Sequence, residues 1–189
     1  MGDFGDLVLV CGDHHIPGRA ADLPVCFKEL LNTDKIKTIL CTGNVGSDVV
    51  AEQLKDQAAT VHIVKGDFDF KTDWPESVVV NVGAFKVGLI HGHQVLPWGD
   101  PEALHVAARK LDVDILVSGH THIGGVQELN GKYFINPGSI TGAHAAHATE
   151  DVVPSFMLMA IQGQTVVLYT YKEEEGKANV VMSKLEPQR

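Results

Sequence analysis

Five short apolar runs, each about the length of a buried strand and each broken off at once by a polar, glycine-containing cluster, constrain this chain more than any other feature. They are Leu7 to Cys11, Thr38 to Cys41, Val61 to Val64, Val87 to Ile90 and Ile115 to Val117. Between the first three lie Leu23 to Leu31 and Asp48 to Leu54, whose apolar spacing suits helices packed on a sheet. The first half therefore reads as βαβαβ with a parallel sheet. Asp100-Pro101-Glu102 has the form of an N-cap with proline in the first turn, opening a helix through Leu111 that feeds the strand at Ile115.

The later part of the chain changes character. Asn130-Gly131 and Gly163-Gln164 are hairpin turns, and the alternating runs Val166 to Tyr171 and Val180 to Met182 read as antiparallel strands of a second sheet. Glu173-Glu174-Glu175-Gly176 reads as a solvated loop. With 44% hydrophobic residues and no internal repeat or long linker, residues 1–189 are expected to form one α/β domain of two packed sheets with flanking helices.

In open α/β sheets, ligands collect outside the carboxyl ends of the strands. All five ends carry candidate ligands here: Gly12-Asp13-His14-His15, Gly43-Asn44, Gly66-Asp67-Phe68-Asp69, His91-Gly92-His93 and Gly119-His120-Thr121-His122. Any one of these is more simply a turn or a hydrogen-bonded histidine. Together they supply Asp13, His15, Asn44, Asp67, His91, His120 and His122, more donors than the four that a tetrahedral zinc uses. Two divalent cations are the economical reading, and imidazole with carboxylate and no thiolate suits manganese, iron or zinc. Such a pair clamps phosphoryl oxygens and activates a water toward phosphorus.

Composition narrows the partners. The net charge is −9 with lysine and arginine scattered, which excludes direct binding to nucleic acid or acidic lipid through a basic stripe. The longest apolar stretches, such as Phe156 to Ile161, are far shorter than the roughly 20 residues a membrane helix needs. Met1-Gly2-Asp3-Phe4 carries acid where a signal peptide carries base, and Asp6 stands where a myristoylation motif after Gly2 wants Ser or Thr. Cys11, Cys26 and Cys41 are odd in number, two of them within apolar runs, which points to buried thiols in a reducing cytosol.

The ordered set Asp-x-His, Gly-Asn, Gly-Asp-x-Asp, His-Gly-His and Gly-His-Thr-His, from Asp13 through His122, resembles the calcineurin-like metallophosphoesterases. That resemblance implies a four-layer αββα sandwich. Within the superfamily, the chain is similar nearly end to end to the small retromer subunits of the vacuolar protein sorting group. The segments carrying this similarity include Leu89 to Asp100, Val113 to His122, Ile135-Asn136-Pro137-Gly138-Ser139 and Val153-Pro154-Ser155-Phe156.

Against active superfamily members the pattern departs at two places. They usually have Gly-Asp where this chain has Gly43-Asn44, and Gly-Asn followed by a catalytic histidine where it has Gly66-Asp67-Phe68. An amide in place of the bridging carboxylate predicts weak or uneven metal occupancy. A phenyl ring cannot protonate a leaving group, and loss of a positioned general acid typically costs about 10² to 10⁴ in rate. The alternative, that His14 or His93 supplies the proton, requires hydrogen-bond reach. The expectation is a non-enzymatic or very weakly active scaffold, with a manganese- or zinc-dependent phosphodiesterase or phosphatase as the competing reading.

Phe68, Phe70, Trp74 and Val95-Leu96-Pro97-Trp98 all lie near these ligands, where a phosphate pocket gains nothing from apolar surface. Exposed aromatic clusters usually mark a partner site, although tryptophans such as Trp74 and Trp98 often merely close a core. The resemblance implies that Phe68, Val95, Leu96 and Trp98 seat against a large α-solenoid retromer subunit. It also implies that a second patch, Leu158, Tyr169 and Tyr171, receives regulatory or sorting proteins, and that the protein reaches endosomal membranes only through its complex. The loop His144 to Thr149 reads as exposed, without a metal role for His144 or His147.

Overall fold

Strand β1 (Leu7–Cys11) shows how the two cores arise, because its alternate residues belong to different ones. Val8 and Val10 face one cluster, while Leu9 and Cys11 face another. The period-two alternation of a strand does this whenever both faces are covered, and it explains why the run is apolar throughout. Our computed structural model describes residues 7–70, 73–149 and 151–187. The readings made on Met1 to Phe4, Gly2 and Asp6 lie outside them.

In chain order, β1 is followed by α1 (Val25–Leu31), β2 (Ile36–Cys41), α2 (Asp48–Gln57) and β3 (Thr60–Ile63). Strands β1, β2 and β3 pair in parallel, as the βαβαβ pattern predicts. The first helix begins two residues later than its apolar spacing suggests. Pro24 disfavours helical backbone at Leu23 and itself stays extended at the cap. In α2, Ser47 Oγ accepts from Val50 N–H, an ordinary N-cap.

Next come β4 (Ser77–Val82), β5 (Phe85–Ile90), α3 (Pro101–Leu111), β6 (Ile115–Val117), β7 (Gly125–Leu129) and β8 (Lys132–Asn136). Asp100 caps α3 through Ala103 N–H, with Pro101 in the first turn as expected. The last three strands are β9 (Ser155–Gln162), β10 (Thr165–Glu174) and β11 (Lys177–Leu185).

Sheet order is β11-β10-β9-β1-β2-β3 in one sheet and β4-β5-β6-β8-β7 in the other. The sheets pack face to face on Val8, Val10, Leu40, Val87, Leu89 and Val117, among others. Helices α1 and α2 cover the outer face of the first sheet through Phe27, Leu31, Val50 and Leu54. Helix α3 covers the second through Leu104 and Ala108 against Leu116 and Phe134. The layers run helix, sheet, sheet, helix, the αββα sandwich that the resemblance implies.

Three details differ from the sequence reading. The acidic run is not a free loop: Glu173 and Glu174 end β10, and only Glu175-Gly176 form the turn into β11. The runs Val166 to Tyr171 and Val180 to Met182 are not in the second sheet: they lie in β10 and β11, which with β9 extend the first, and of the later antiparallel strands only the β7–β8 hairpin joins the second. Strand β4 was not among the five predicted runs: it lies at a sheet edge and is exposed at every other residue, and its run Val78-Val79-Val80 is not followed by a glycine-containing cluster of candidate ligands. Among the described residues, no helix is long and apolar enough to cross a membrane.

Candidate metal centres and their rim

The carboxyl ends of β1, β2, β3, β5 and β6 bring the seven predicted donors into two adjoining clusters. Asp13, His15 and His122 form the first, and Asp67, His91 and His120 the second. Within each cluster the ligand atoms lie within 4.8 Å of one another. Asn44 stands between them, its Nδ2 2.9 Å from Asp67 Oδ1 and 3.3 Å from Asp13 Oδ1.

Backbone conformation explains how the loops aim these side chains inward. Asp13, His15, Asn44, His120 and His122 all adopt positive φ, between 49° and 68°. Non-glycine residues rarely take this left-handed conformation, and strain of this kind concentrates at functional sites. The neighbouring glycines serve mainly close approach. A Cβ on Gly66 would stand 2.2 Å from Asn44 Oδ1, and one on Gly119 would stand 2.7 Å from Asp13 Oδ2.

Hydrogen bonds outside the clusters fix the ring nitrogens that face in. His91 Nδ1 donates to Thr42 O and His122 Nδ1 to Ala143 O, both at 2.6 Å. A carbonyl can only accept, so Nδ1 carries a proton in each, and Nε2 is the ring nitrogen that faces inward and would present a lone pair to a cation on giving up any proton of its own. His15 Nε2 then lies 3.2 Å from His122 Nε2, with Asp13 Oδ1 at 3.7 and 3.4 Å from the two. Lone pairs and a carboxylate converging at these distances suit a cation, and the donor set of each cluster fits one.

Electrostatics point the same way. Burial alone would raise the Asp13 carboxyl, yet hydrogen bonding with His122 and His15 holds it well below the usual carboxylate range. Asp67 is likewise lowered, by His91 and Asn44 against its own burial. Burial opposes a charge on His91, but the hydrogen bond to Asp67, 3.0 Å away, and the nearby Asp13 raise it above its ordinary value. Burial and the His91 charge push His120 down to about 4.

A support layer was not read from the sequence. Asp69, taken only as part of the Gly-Asp-x-Asp motif, is buried and does not face the clusters. Its carboxylate accepts from Asn44 N–H at 2.7 Å, Val45 N–H at 2.9 Å and Gly66 N–H at 2.9 Å, binding the β2 loop to the β3 loop. Ser139 Oγ donates to Asp13 O and accepts from Ala143 N–H. Asp13 Oδ2 is held by His120 N–H at 2.9 Å.

The rim is apolar as expected. Leu96 is 70% exposed, Phe68 50% and Trp98 45%, while Val95 is half-buried. Trp98 sets its ring edge-on to His120 at 4.4 Å. Leu96 and Val95 line a cleft of about 500 Å³ against Val106 and Ala107 of α3. Trp74 belongs partly to the other reading: it packs against the core beneath α1 and α2, although it also lines a cleft of about 420 Å³ with Phe68 and Phe70.

Of the two alternative acids, His93 sets its ring 5.3 Å from that of His91 and 6.2 Å from that of His120, and among the described residues Nδ1 of both His14 and His93 is buried without a hydrogen-bond partner. The loop from His144 to Thr149 is largely exposed at its histidines, and His147 stacks on His120 at 5.3 Å. On the helix-covered face of the first sheet, Leu158 of β9 pairs with Tyr169 of β10, and Tyr171 stacks on buried Phe156 at 4.8 Å. Leu158, Tyr169 and Tyr171 are all half-buried. Cys11 and Cys41 are buried neighbours on β1 and β2, and the three cysteines are free.

Residues 7–164 match the calcineurin-like phosphoesterase superfamily domain. The chain is 45% identical over 177 residues to vacuolar protein sorting-associated protein 29 of Schizosaccharomyces pombe, covering 92% of this chain and 95% of that protein. The chain belongs to the vacuolar protein sorting 29 (Vps29) family. Vps29 of Cryptosporidium parvum superposes with a TM-score of 0.92 at 55% identity, over 97% of this chain and 100% of that one. Wild-type Vps29 of Entamoeba histolytica, solved in complex with zinc, superposes with a TM-score of 0.88 at 47% identity, over 94% of this chain and 98% of that one.

Proposed function

We propose that this Vps29-family chain is a protein-docking subunit of the retromer coat in endosomal protein transport, with a phosphoesterase fold that has lost efficient catalysis. The observation that carries this reading is the exposure of Phe68 and Trp98 against His15 and His120 of the two clusters, where an anionic ester would have to enter, continued by exposed Leu96 in the cleft beside α3. Large apolar side chains left in water at one place are favoured anchors for a protein partner. The partner is an α-solenoid subunit that buries Leu96 and Trp98 and fills the cleft beside α3. Leu158, Tyr169 and Tyr171 form the second apolar patch, for peptide segments of regulatory or sorting proteins. The protein meets endosomal membranes from the cytoplasm, indirectly through this complex.

Asp13, His15 and His122 would hold one divalent cation, and Asp67, His91 and His120 a second, with zinc, manganese and iron all compatible with these donors. A bound cation would supply Lewis acidity toward a phosphoryl oxygen. Phe68 offers neither a proton nor a hydrogen bond there, so bond cleavage lacks its acid. The cations are structural in this reading, holding five loops under the docking rim.

Tagged chain recovered from a cell extract of its source should carry a stoichiometric α-helical solenoid subunit through gel filtration. Recovery as a bare monomer with manganese-dependent phosphoesterase turnover of about 1 per second or more would instead support the enzyme reading.

A further inference from the structure

Asn44 occupies the place between the two clusters, but it faces them with the wrong end of its amide for a bridging ligand. Its Oδ1 accepts from Phe68 N–H at 2.9 Å. A backbone N–H is only a donor, so the oxygen must be the atom on that side and the NH₂ group the atom on the inner side. Nδ2 then faces three polar atoms, Asp67 Oδ1 at 2.9 Å and His91 Nε2 at 3.1 Å in one cluster and Asp13 Oδ1 at 3.3 Å in the other, and its two hydrogens are shared among them. An amide nitrogen with both hydrogens engaged has no lone pair for a metal.

The orientation is held from several directions. Asp69 fixes the backbone N–H of Asn44 at 2.7 Å, and the residue is locked at a φ of 51°. Gly66 packs so closely beneath the amide that any Cβ there would strike Oδ1. Turning the amide over would set NH₂ against Phe68 N–H, donor against donor. A carboxylate at this position meets both demands, with one oxygen for Phe68 N–H and the other for the cations. The amide meets only one.

We propose that Asn44 is a hydrogen-bond bracket between two separate mononuclear cation sites, and not a ligand that bridges a metal pair. On this proposal Asn44 stands beside the ligand set, where the sequence places it within. The bracket also holds both carboxylates in place before any cation arrives, because each already has a neutral donor. The inference rests on the assignment of the two clusters as cation sites and is independent of protein docking.

Electron paramagnetic resonance tests it on the full chain, freed of metal with a chelator and titrated with Mn²⁺ to two equivalents. The wild type should give only the spectrum of isolated Mn²⁺ ions. Asn44→Asp should gain the exchange-coupled multiline spectrum of a bridged pair. A coupled spectrum from the wild type overturns the bracket alone, and it does so even if Asn44→Asp fails to fold. No bound manganese in the wild type would overturn both the bracket and the assignment of the clusters, without bearing on docking. A wild type without coupling and an Asn44→Asp variant that folds, binds two ions and still shows no coupling would also contradict the role given to the amide.

Discussion

The guanidinium of Arg19 lies 4.3 Å above the ring of Phe68, while Arg19 Nη1 donates a 3.0 Å hydrogen bond to the carbonyl of His144. The edge of His15 closes on the same ring at 5.8 Å. Phe68, in the loop after β3, is therefore held against Arg19 and His15 of the loop after β1. A cation over an aromatic face favours this arrangement by about 0.5 to 1 kcal/mol at an exposed site.

Restoring the acid should restore chemistry. Phe68→His combined with Asn44→Asp and Asp67→Asn is expected to hydrolyse a bis-aryl phosphate with added manganese at least about 10² faster than the wild type, the lower range for a positioned general acid. A wild type that already matches the triple variant would show that Phe68 is no impediment.

Asp69 is the least replaceable side chain of the support layer. Asp69→Ala leaves three backbone N–H groups of the site loops without their acceptor, at Asn44, Val45 and Gly66. Bonds to a buried carboxylate are worth about 1.5 to 3 kcal/mol each in mutational series, without simple additivity. Urea unfolding should report a loss of about 3 kcal/mol or more. A loss under about 1 kcal/mol would mean the loops hold without it.

Acid should weaken the metal-free protein through His120. Its folded value is pushed down to about 4, below the 6.5 ordinary for histidine, so the unfolded chain binds the proton more readily in between. Stability from this group is complete above about 6.5 and falls as pH drops toward 4. His91, raised above its ordinary value, acts in the other direction and only at higher pH. The thermal midpoint of chelator-treated wild type should therefore fall more steeply than that of His120→Gln as pH drops from 6.5 to 4.5. Parallel curves would contradict the cause assigned to the shift.

Much of the fold and the site could be read because parallel β-strands buried on both faces leave continuous apolar runs, and the turns that end them carry the functional residues. Asp13, His15, Asp67, His91, His120 and His122 were found in this way, each directly after such a run. The role of Asp69 was not legible, since a carboxylate that collects backbone N–H groups looks in sequence like one more ligand. The inward amide of Asn44 depends on a backbone N–H 24 residues away, at Phe68, which no local pattern encodes. Trp74 illustrates the same limit: proximity to Phe68 along the chain placed it on the rim, while packing draws it toward the core under α1 and α2.

The second patch should act independently of the rim. Leu158→Glu places a charge beside Tyr169 and Tyr171 on the helix-covered side of the first sheet, away from Leu96. It should abolish binding of regulatory peptides and leave α-solenoid docking within about twofold, as expected for distant sites that share no contacts. Loss of both activities together would mean that the two patches form one surface or that the variant unfolds.

Titration calorimetry of the purified α-solenoid subunit with wild type and with Leu96→Asp bears most directly on the docking rim. Because Leu96 is 70% exposed, the substitution should leave unfolding free energy within about 0.5 kcal/mol. Burying the new carboxylate at a partner's surface should cost at least about 3 kcal/mol, a loss of more than 100-fold in affinity. A Leu96→Asp variant that binds as tightly as the wild type would show that the rim around the two clusters is not where the partner sits.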